Sequence, residues 1–217
     1  MSNRREFKPR RRSSGNRDAS LIVIATEGEK TERQYFRDLI SPEYYQNARV
    51  HVHVIKRESS KSAPKHVIKS LDRFSREYRL GGDDELWMVI DTDNWPEAQL
   101  SAVAAKCHQK GYKLSVSNPC FELWLLLHVK DIDEYGASKR RELERNHKVS
   151  EDRTALEREL VHILGSYNKS RPDTDAFLPY VGKAIERAEK LDEDSGQRWP
   201  QSLGTRVYLL VERILRD

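Results

Sequence analysis

Two short acidic segments each follow an apolar run in this sequence. The first is Glu27-Gly28-Glu29, after Leu-Ile-Val-Ile-Ala-Thr, and the second is Asp91-Thr92-Asp93, after Leu-Trp-Met-Val-Ile. Carboxylates that converge repel one another unless a cation binds or their pKa values rise. Carboxylate oxygens are also the ligands that Mg²⁺ and Mn²⁺ prefer. Ions held in this way activate water and clamp a phosphate, so these residue types indicate phosphoryl chemistry.

The apolar runs before these acids determine how they are positioned. Continuous β-branched and large apolar residues are typical of strands buried on both faces of a parallel sheet. The carboxyl ends of parallel strands meet at one edge, about 4.8 Å apart, so the acids would face one another there. Each segment alone is also consistent with a turn whose acid caps the next helix. Their joint position after two strands favours a metal site.

The whole chain predicts an α/β fold with a mainly parallel sheet flanked by helices, followed by a helical extension. Residues 50–55 alternate valine and histidine, as a strand near the sheet edge would, and residues 112–116 form a further strand. After residue 130 the β/α alternation stops. We expect one helix from Ser150 to Gly165 and a last helix from Thr205. The predicted units are 1–19, a disordered basic tail; 20–130, the α/β domain; and 131–217, a helical extension packed on it.

Glu122 is a carboxylate within an apolar helix, between Phe121 and Leu123. Burying a carboxylate is costly unless it is paired, hydrogen-bonded or bound to a cation. Because it follows a strand end, it would lie near the other acids. It could instead cap its own helix or pair with an arginine, since acids favour the first helical turn.

Basic residues concentrate in two segments. The net charge is +4, of which residues 1–19 contribute +5, so the remainder sums to 4 − 5 = −1. The tail, with Arg10, Arg11 and Arg12, is either a phosphate-contacting arm or a solubilising terminus. The segment after the second strand carries Lys56, Arg57 and Lys61, and is either a substrate-contacting loop or a solvated connection.

Several classes of protein lack support in the sequence. No run reaches the roughly 18 apolar residues of a membrane span, and no secretory signal is evident, so we expect a cytoplasmic protein. Cys107 and Cys120 belong to no zinc-ligand pattern. The motifs GxGxxG, GxxxxGK[ST] and GxSxG are absent, so dinucleotide binding, P-loop NTP hydrolysis and serine hydrolysis are not indicated.

Three motifs together resemble the RloB-like proteins. They are Thr-Glu-Gly-Glu-Lys-Thr-Glu at 26–32 with Tyr-Phe at 35–36, Asp-Thr-Asp at 91–93, and Ser-Asn-Pro-Cys-Phe-Glu-Leu-Trp-Leu-Leu-Leu-His at 117–128. The resemblance covers residues 20–130 closely and the remainder loosely. It implies a Toprim-like, Rossmann-related domain similar to the nuclease part of OLD-family proteins and to nuclease subunits of abortive-infection systems such as AbiL and PARIS.

The resemblance also implies roles for particular residues. Glu27 would be the general acid/base or a metal ligand, Asp91 and Asp93 would bind Mg²⁺ or Mn²⁺, and Glu122 would be an additional acid. Lys169 is the candidate for the lysine that OLD-type nucleases place near the phosphate, although a lysine after a helix end more often faces solvent. Glu29 and Glu32 would support the ligands or simply lie on the helix.

The implied function is metal-dependent cleavage of DNA or RNA, tRNA included, by an effector of anti-phage defence. Such proteins are typically encoded beside an ATPase of the ABC or SMC-like kind, so we expect an ATPase partner and assembly into a dimer or larger complex. The alternative is a non-catalytic module that binds nucleic acid or regulates the ATPase, with the acids as remnants.

Overall fold

The computed structural model describes residues 5–6, 19–56, 63–93 and 95–216. Its strands are β1 (Arg5–Glu6), β2 (Ser20–Thr26), β3 (Val50–Val54), β4 (Tyr78–Arg79), β5 (Glu85–Asp91), β6 (Lys113–Asn118) and β7 (Gly204–Thr205). Its α-helices are α1 (Thr31–Leu39), α2 (Pro64–Glu77), α3 (Glu97–Lys110), α4 (Phe121–Val129), α5 (Ala137–Arg145), α6 (Ala155–Leu164), α7 (Val181–Leu191) and α8 (Val207–Leu215).

A five-stranded sheet in the order β3-β2-β5-β6-β7 forms the centre of the fold. Strands β2, β3, β5 and β6 are parallel, and β7 is antiparallel to β6. The predicted α/β fold with a mainly parallel, Rossmann-like sheet is confirmed, and β3 is the expected edge strand. The chain leaves β2 toward β3 and leaves β5 toward β6, in opposite directions. A crevice therefore opens beyond the carboxyl ends of β2 and β5, where ligands bind in such sheets.

Helices cover both faces of the sheet. On one face, α2 and α3 bury Val67, Leu71 and Leu100 against strand residues such as Val23 and Met88. The other face is covered by α1, α4, α6, α7 and α8. Helix α4 exposes no side to solvent, because residues 123–127 are all fully buried. This packing carries the acidic start of α4 into the interior.

The C-terminal segment joins the sheet as well as packing on it. Thr205 pairs with Ser117 across β7 and β6, and their hydroxyl oxygens lie 2.8 Å apart. The helix expected from Thr205 therefore begins at Val207, because the backbone before it belongs to the sheet. The predicted helix start at Ser150 is also wrong. Helix α6 starts at Ala155, after Thr154.

A buried ion pair holds the turn before β7. Nε and Nη2 of Arg206 donate to both carboxylate oxygens of Asp192 at 2.9 to 3.1 Å. Nη1 and Nη2 also donate to the backbone carbonyls of Gln197 and Asp194. Because both side chains are almost fully buried, this pair closes the loop that leads to β7.

No helix in the described part of the chain is both long enough and apolar enough to cross a membrane.

Candidate functional site

Glu27 lies one residue beyond β2, at the edge of the sheet where the parallel strands end, which we call the carboxyl rim. Its backbone N–H donates to the carbonyl of Val89 at 2.9 Å, which extends the ladder between β2 and β5. Its carboxylate accepts hydrogen bonds from Trp95 Nε1 at 2.7 Å and from the backbone N–H of Asp91 at 3.3 Å. Burial raises the pKa of Glu27 from 4.5 to about 7, although these two hydrogen bonds oppose the rise.

Glu32 folds back over Gly28 from the first turn of α1. The backbone N–H of Gly28 donates to Glu32 Oε1 at 3.0 Å. A Cβ atom on Gly28 would lie 1.7 Å from Glu32 Oε2, so a side chain at position 28 would require the Glu32 carboxylate to move. Burial raises the pKa of Glu32 to about 7, with a further contribution from the negative charge of Glu122. Glu32 thus faces the site, whereas Glu29 is exposed.

Asp91 is the last residue of β5, and its side chain enters the crevice. Its Oδ1 atom is buried and has no hydrogen-bond partner. Burial raises the pKa of Asp91 well above 3.8, and the charges of Glu32 and Glu122 raise it further, followed by those of Asp93 and Glu27. These five residues, Glu27, Glu32, Asp91, Asp93 and Glu122, form what we call the acidic cluster.

The turn that carries Asp93 is fixed by the end of β6. The backbone N–H groups of Thr92 and Asp93 donate to the carbonyl of Pro119, each at 3.1 Å. The Thr92 hydroxyl donates to Asn118 Oδ1 at 2.9 Å. The side chain of Asp93 is exposed, in contrast to that of Asp91. The Asn-Pro string of the sequence therefore holds the second acidic segment through backbone contacts.

Glu122 is buried at the start of α4, with only 1% of its surface exposed. Its Oε1 atom lies 2.9 Å from Lys169 Nζ and accepts a hydrogen bond from the Tyr167 hydroxyl at 3.3 Å. Lys169 Nζ also lies 3.2 Å from Oε1 of Glu157. Partial burial lowers the pKa of Lys169, but the charge of Glu122, the hydrogen bond to it and the charge of Glu157 together raise it, and the net change is upward. The buried carboxylate is thus paired with a lysine, not with an arginine.

The loop after α6 brings Lys169 to the carboxyl rim. The Thr31 hydroxyl donates to the backbone carbonyl of Lys169, and Lys30 Nζ lies 3.4 Å from the Ser170 hydroxyl. Both contacts come from the start of α1. The side chain of Lys169 remains 58% exposed although its ammonium group is held by two glutamates.

Cys120 lies beside the acidic cluster and remains a thiol. Its Sγ atom is 3.2 Å from Asn146 Nδ2. Burial raises its pKa well above 9.0, and the charges of Glu122 and Asp91 raise it further. A thiol with a raised pKa is a poor nucleophile.

Comparison with known families identifies the chain. The family model described as RloB-like protein matches residues 22–214, nearly the whole sequence. The chain belongs to the RloB-like family. No curated protein and no solved structure matches it. The match includes every residue of the acidic cluster and Lys169, and it extends through the helical segment that the sequence resemblance covers loosely.

The acidic cluster of this RloB-like protein offers carboxylate oxygens to a divalent cation. Among the described residues, no three His, Cys, Asp or Glu side chains form a group that could hold a metal ion. The donors are nevertheless all carboxylate oxygens, and Asp91 Oδ1 is buried without a partner. Mg²⁺ commonly binds through one or two carboxylates and completes its shell with water and substrate phosphate. The residues present fit an ion bound in that manner.

Three residues at the site were not predicted from the sequence. Trp95 donates to Glu27, and Glu157 and Tyr167 surround the pair between Glu122 and Lys169. Glu157 carries a recognisable signal, because Thr154 and Glu157 form a capping box at the start of α6. That motif explains the helix start but not the contact with Lys169, which depends on the tertiary fold.

The predicted nucleic-acid-binding residues are only partly described. Lys56 is exposed just beyond β3, which ends at the carboxyl rim. Arg57 and Lys61, and likewise Arg10, Arg11 and Arg12, lie outside the described residues.

Proposed function

We propose that this RloB-like protein is a metal-dependent nuclease that hydrolyses phosphodiester bonds in DNA or RNA, tRNA included. The observation that carries the proposal is the gathering of the acidic cluster at the crevice between β2 and β5. These carboxylates come from separate elements. Burial raises the pKa values of Glu27, Glu32 and Asp91, and the charges of the neighbouring carboxylates raise them further. The fully ionised cluster is therefore unfavourable without a cation, which supports a site that binds one during function.

Glu27, Asp91 and Asp93 would supply the one or two carboxylates that hold Mg²⁺ or Mn²⁺, and Glu122 would act as a further acid of the site. A bound ion of this kind neutralises phosphate charge and activates a water molecule. Trp95 keeps the Glu27 carboxylate oriented through its 2.7 Å hydrogen bond. The Oδ1 atom of Asp91 is buried without a protein partner.

Lys169 would contact the phosphate. Its ammonium group is fixed by Glu122 and Glu157 at 2.9 and 3.2 Å, and its side chain is exposed on the other side. An ammonium group has three donors, so one can reach a phosphate oxygen while two remain bound to the glutamates. The charge of Lys169 would stabilise negative charge that develops on the phosphate.

The biological setting that we propose is anti-phage defence in the cytoplasm, with an ABC or SMC-like ATPase as partner and assembly into a dimer or larger complex. This part rests on the family resemblance. It is consistent with the lack of a P-loop motif in the sequence.

A second candidate function is a non-catalytic subunit that binds nucleic acid or regulates the ATPase. The observation that favours it is the lack of a three-residue metal group among the described residues. In this case the acidic cluster would bind no ion.

Cleavage of labelled plasmid and of total tRNA with Mg²⁺ or Mn²⁺ tests the two candidates. Asp91→Ala and Glu27→Ala are expected to abolish cleavage, whereas Glu29→Ala should retain it because Glu29 is exposed. The assay is run with and without the neighbouring ATPase. Cleavage that survives Asp91→Ala refutes the catalytic assignment, and wild-type protein that never cuts with the ATPase present favours the non-catalytic subunit.

A further inference from the structure

One face of α2 carries a row of cations that the proposed active site does not use. Lys65, Lys69, Arg73 and Arg76 recur every three or four residues, so they share one side of the helix. The opposite side is buried against the sheet. Lys65, Lys69 and Arg76 are exposed, and Arg73 is half-buried. We call these four residues the basic stripe.

Helix α2 itself carries fewer acids than cations. Among residues 64–77 the acids are Asp72 and Glu77. Asp72 accepts hydrogen bonds from Lys110 Nζ at 2.8 Å and from the Tyr112 hydroxyl at 2.9 Å, so a cation of α3 already compensates it. Like charges four residues apart weaken a helix, which a bound polyanion would relieve.

The stripe does not reflect a general excess of positive charge. Beyond the first 19 residues the chain has a net charge of −1. Helix α7, which covers the other face of the sheet, exposes both signs, with Lys183 and Lys190 beside Glu186 and Glu189. The row of one sign is therefore particular to α2.

The stripe connects the two basic segments of the sequence. Helix α2 begins at Pro64, at the end of the segment that starts with Lys56 after β3. It ends at Glu77, and the next two residues form β4, which pairs in parallel with β1 in the N-terminal segment. The stripe thus runs from the carboxyl rim toward β4, the strand that pairs with Arg5 and Glu6.

We propose that the basic stripe is the path of a nucleic-acid backbone between the carboxyl rim and the edge formed by β1 and β4. This inference rests on the proposed function and identifies the face along which its substrate lies. From residue 65 to residue 76 the helix rises about 16 Å, which matches about five nucleotide steps of 3.4 Å.

Other partners fit this surface less well. The cores of protein interfaces are depleted in charge and enriched in aromatic residues, and the stripe has no such anchor. A membrane-surface helix needs a free apolar face, whereas that of α2 is buried. The exposed large apolar side chains among the described residues are Tyr180 and Leu209, and neither is on α2.

The test measures binding of full-length protein to fluorescein-labelled 30-nucleotide DNA and RNA, single- and double-stranded, in EDTA at several salt concentrations. The stripe variant is Lys65→Gln, Lys69→Gln and Arg76→Gln combined. Each lost phosphate contact lowers the slope of log affinity against log salt by about 0.7 to 0.9, so the slope should fall by about 2. Affinity at the same salt should fall at least about tenfold.

The control variant combines Arg37→Gln, Lys183→Gln and Lys190→Gln, which removes the same charge from exposed positions on helices of the other face. Its slope should match wild type. Equal slopes for the two variants overturn the proposal. Binding to vesicles containing phosphatidylserine is measured in parallel, and a stripe variant that loses only its vesicle binding also overturns the proposal. If the stripe variant misfolds by circular dichroism, Lys65→Gln and Lys69→Gln are measured singly, and unchanged slopes for both overturn it.

Binding in EDTA also separates this inference from the proposed function. Asp91→Ala should lose cleavage without a change in the salt slope. If the wild-type protein cuts nothing but the stripe variant still lowers the slope, the nuclease assignment fails and the binding path stands.

Discussion

Replacing Glu27 with glutamine should stabilise the metal-free protein at pH 8 but not at pH 5. The pKa of Glu27 is raised by burial from 4.5 to about 7, so the folded state holds this proton more tightly than the unfolded state. The stabilising contribution of the protonated group is present below pH 4.5 and is lost as the pH rises through 7. At pH 8 the buried charge therefore costs about 3 kcal/mol, against less than about 1 kcal/mol at pH 5.

Glutamine removes the charge but also removes one acceptor. Either Trp95 Nε1 or the backbone N–H of Asp91 would then face an amide NH₂ group, which costs about 1 kcal/mol. The expected net gain at pH 8 is about 2 kcal/mol, or about 4–8 °C in Tm for a chain of this size. At pH 5 the Tm should stay within about 2 °C of wild type.

Thermal unfolding in EDTA at both pH values measures the effect, with Glu29→Gln as the matched control. Glu29 has the same chemistry two residues away but is exposed, so its variant should unfold like wild type at both pH values. If Glu27→Gln gives the same change in Tm at pH 5 and pH 8, or behaves as Glu29→Gln does, the burial argument is refuted.

Three further predictions follow from the contacts. Gly28→Ala would place Cβ 1.7 Å from the Glu32 carboxylate and should lower the free energy of unfolding by about 1–3 kcal/mol in urea titrations; an unchanged midpoint would contradict this packing. Arg206→Met leaves the buried Asp192 carboxylate without its ion-pair partner and should lower the free energy of unfolding by about 3–5 kcal/mol in the same titration. A loss below about 1 kcal/mol would count against the pair. Adding Mg²⁺ at 100 times its dissociation constant should stabilise the wild type by about 2.7 kcal/mol at pH 8 and should stabilise Asp91→Asn much less. Equal stabilisation of the two proteins would argue against a metal ligand at this position.

Much of the fold could be predicted from local patterns. Unbroken apolar runs predict β2 and β5 as buried parallel strands, and the alternation at residues 50–54 predicts the edge strand β3. Helix α3 ends at Gly111, whose φ of +70° favours glycine, as its position after the helix predicts. The errors fall in the C-terminal segment. Helix α6 begins at a capping box that the sequence contains, formed by Thr154 and Glu157. Gly204 and Thr205 pair with a strand almost 90 residues earlier, which no local pattern indicates.

The candidate site could likewise be predicted only in part from the sequence. The sequence alone determines that Glu27 and Asp91 each follow a buried strand of a parallel sheet, because the apolar runs before them are unbroken and the ends of such strands lie at one edge. That the two strands, β2 and β5, are neighbours is decided by the tertiary structure. Only the tertiary structure decides which other side chains reach them. Glu32 folds back over Gly28 and accepts a hydrogen bond from its backbone N–H, and Lys169 comes from a loop more than 40 residues after the glutamate that it pairs with. Such contacts depend on how α4 and α6 pack on the sheet, and packing is a property of the whole core rather than of any segment.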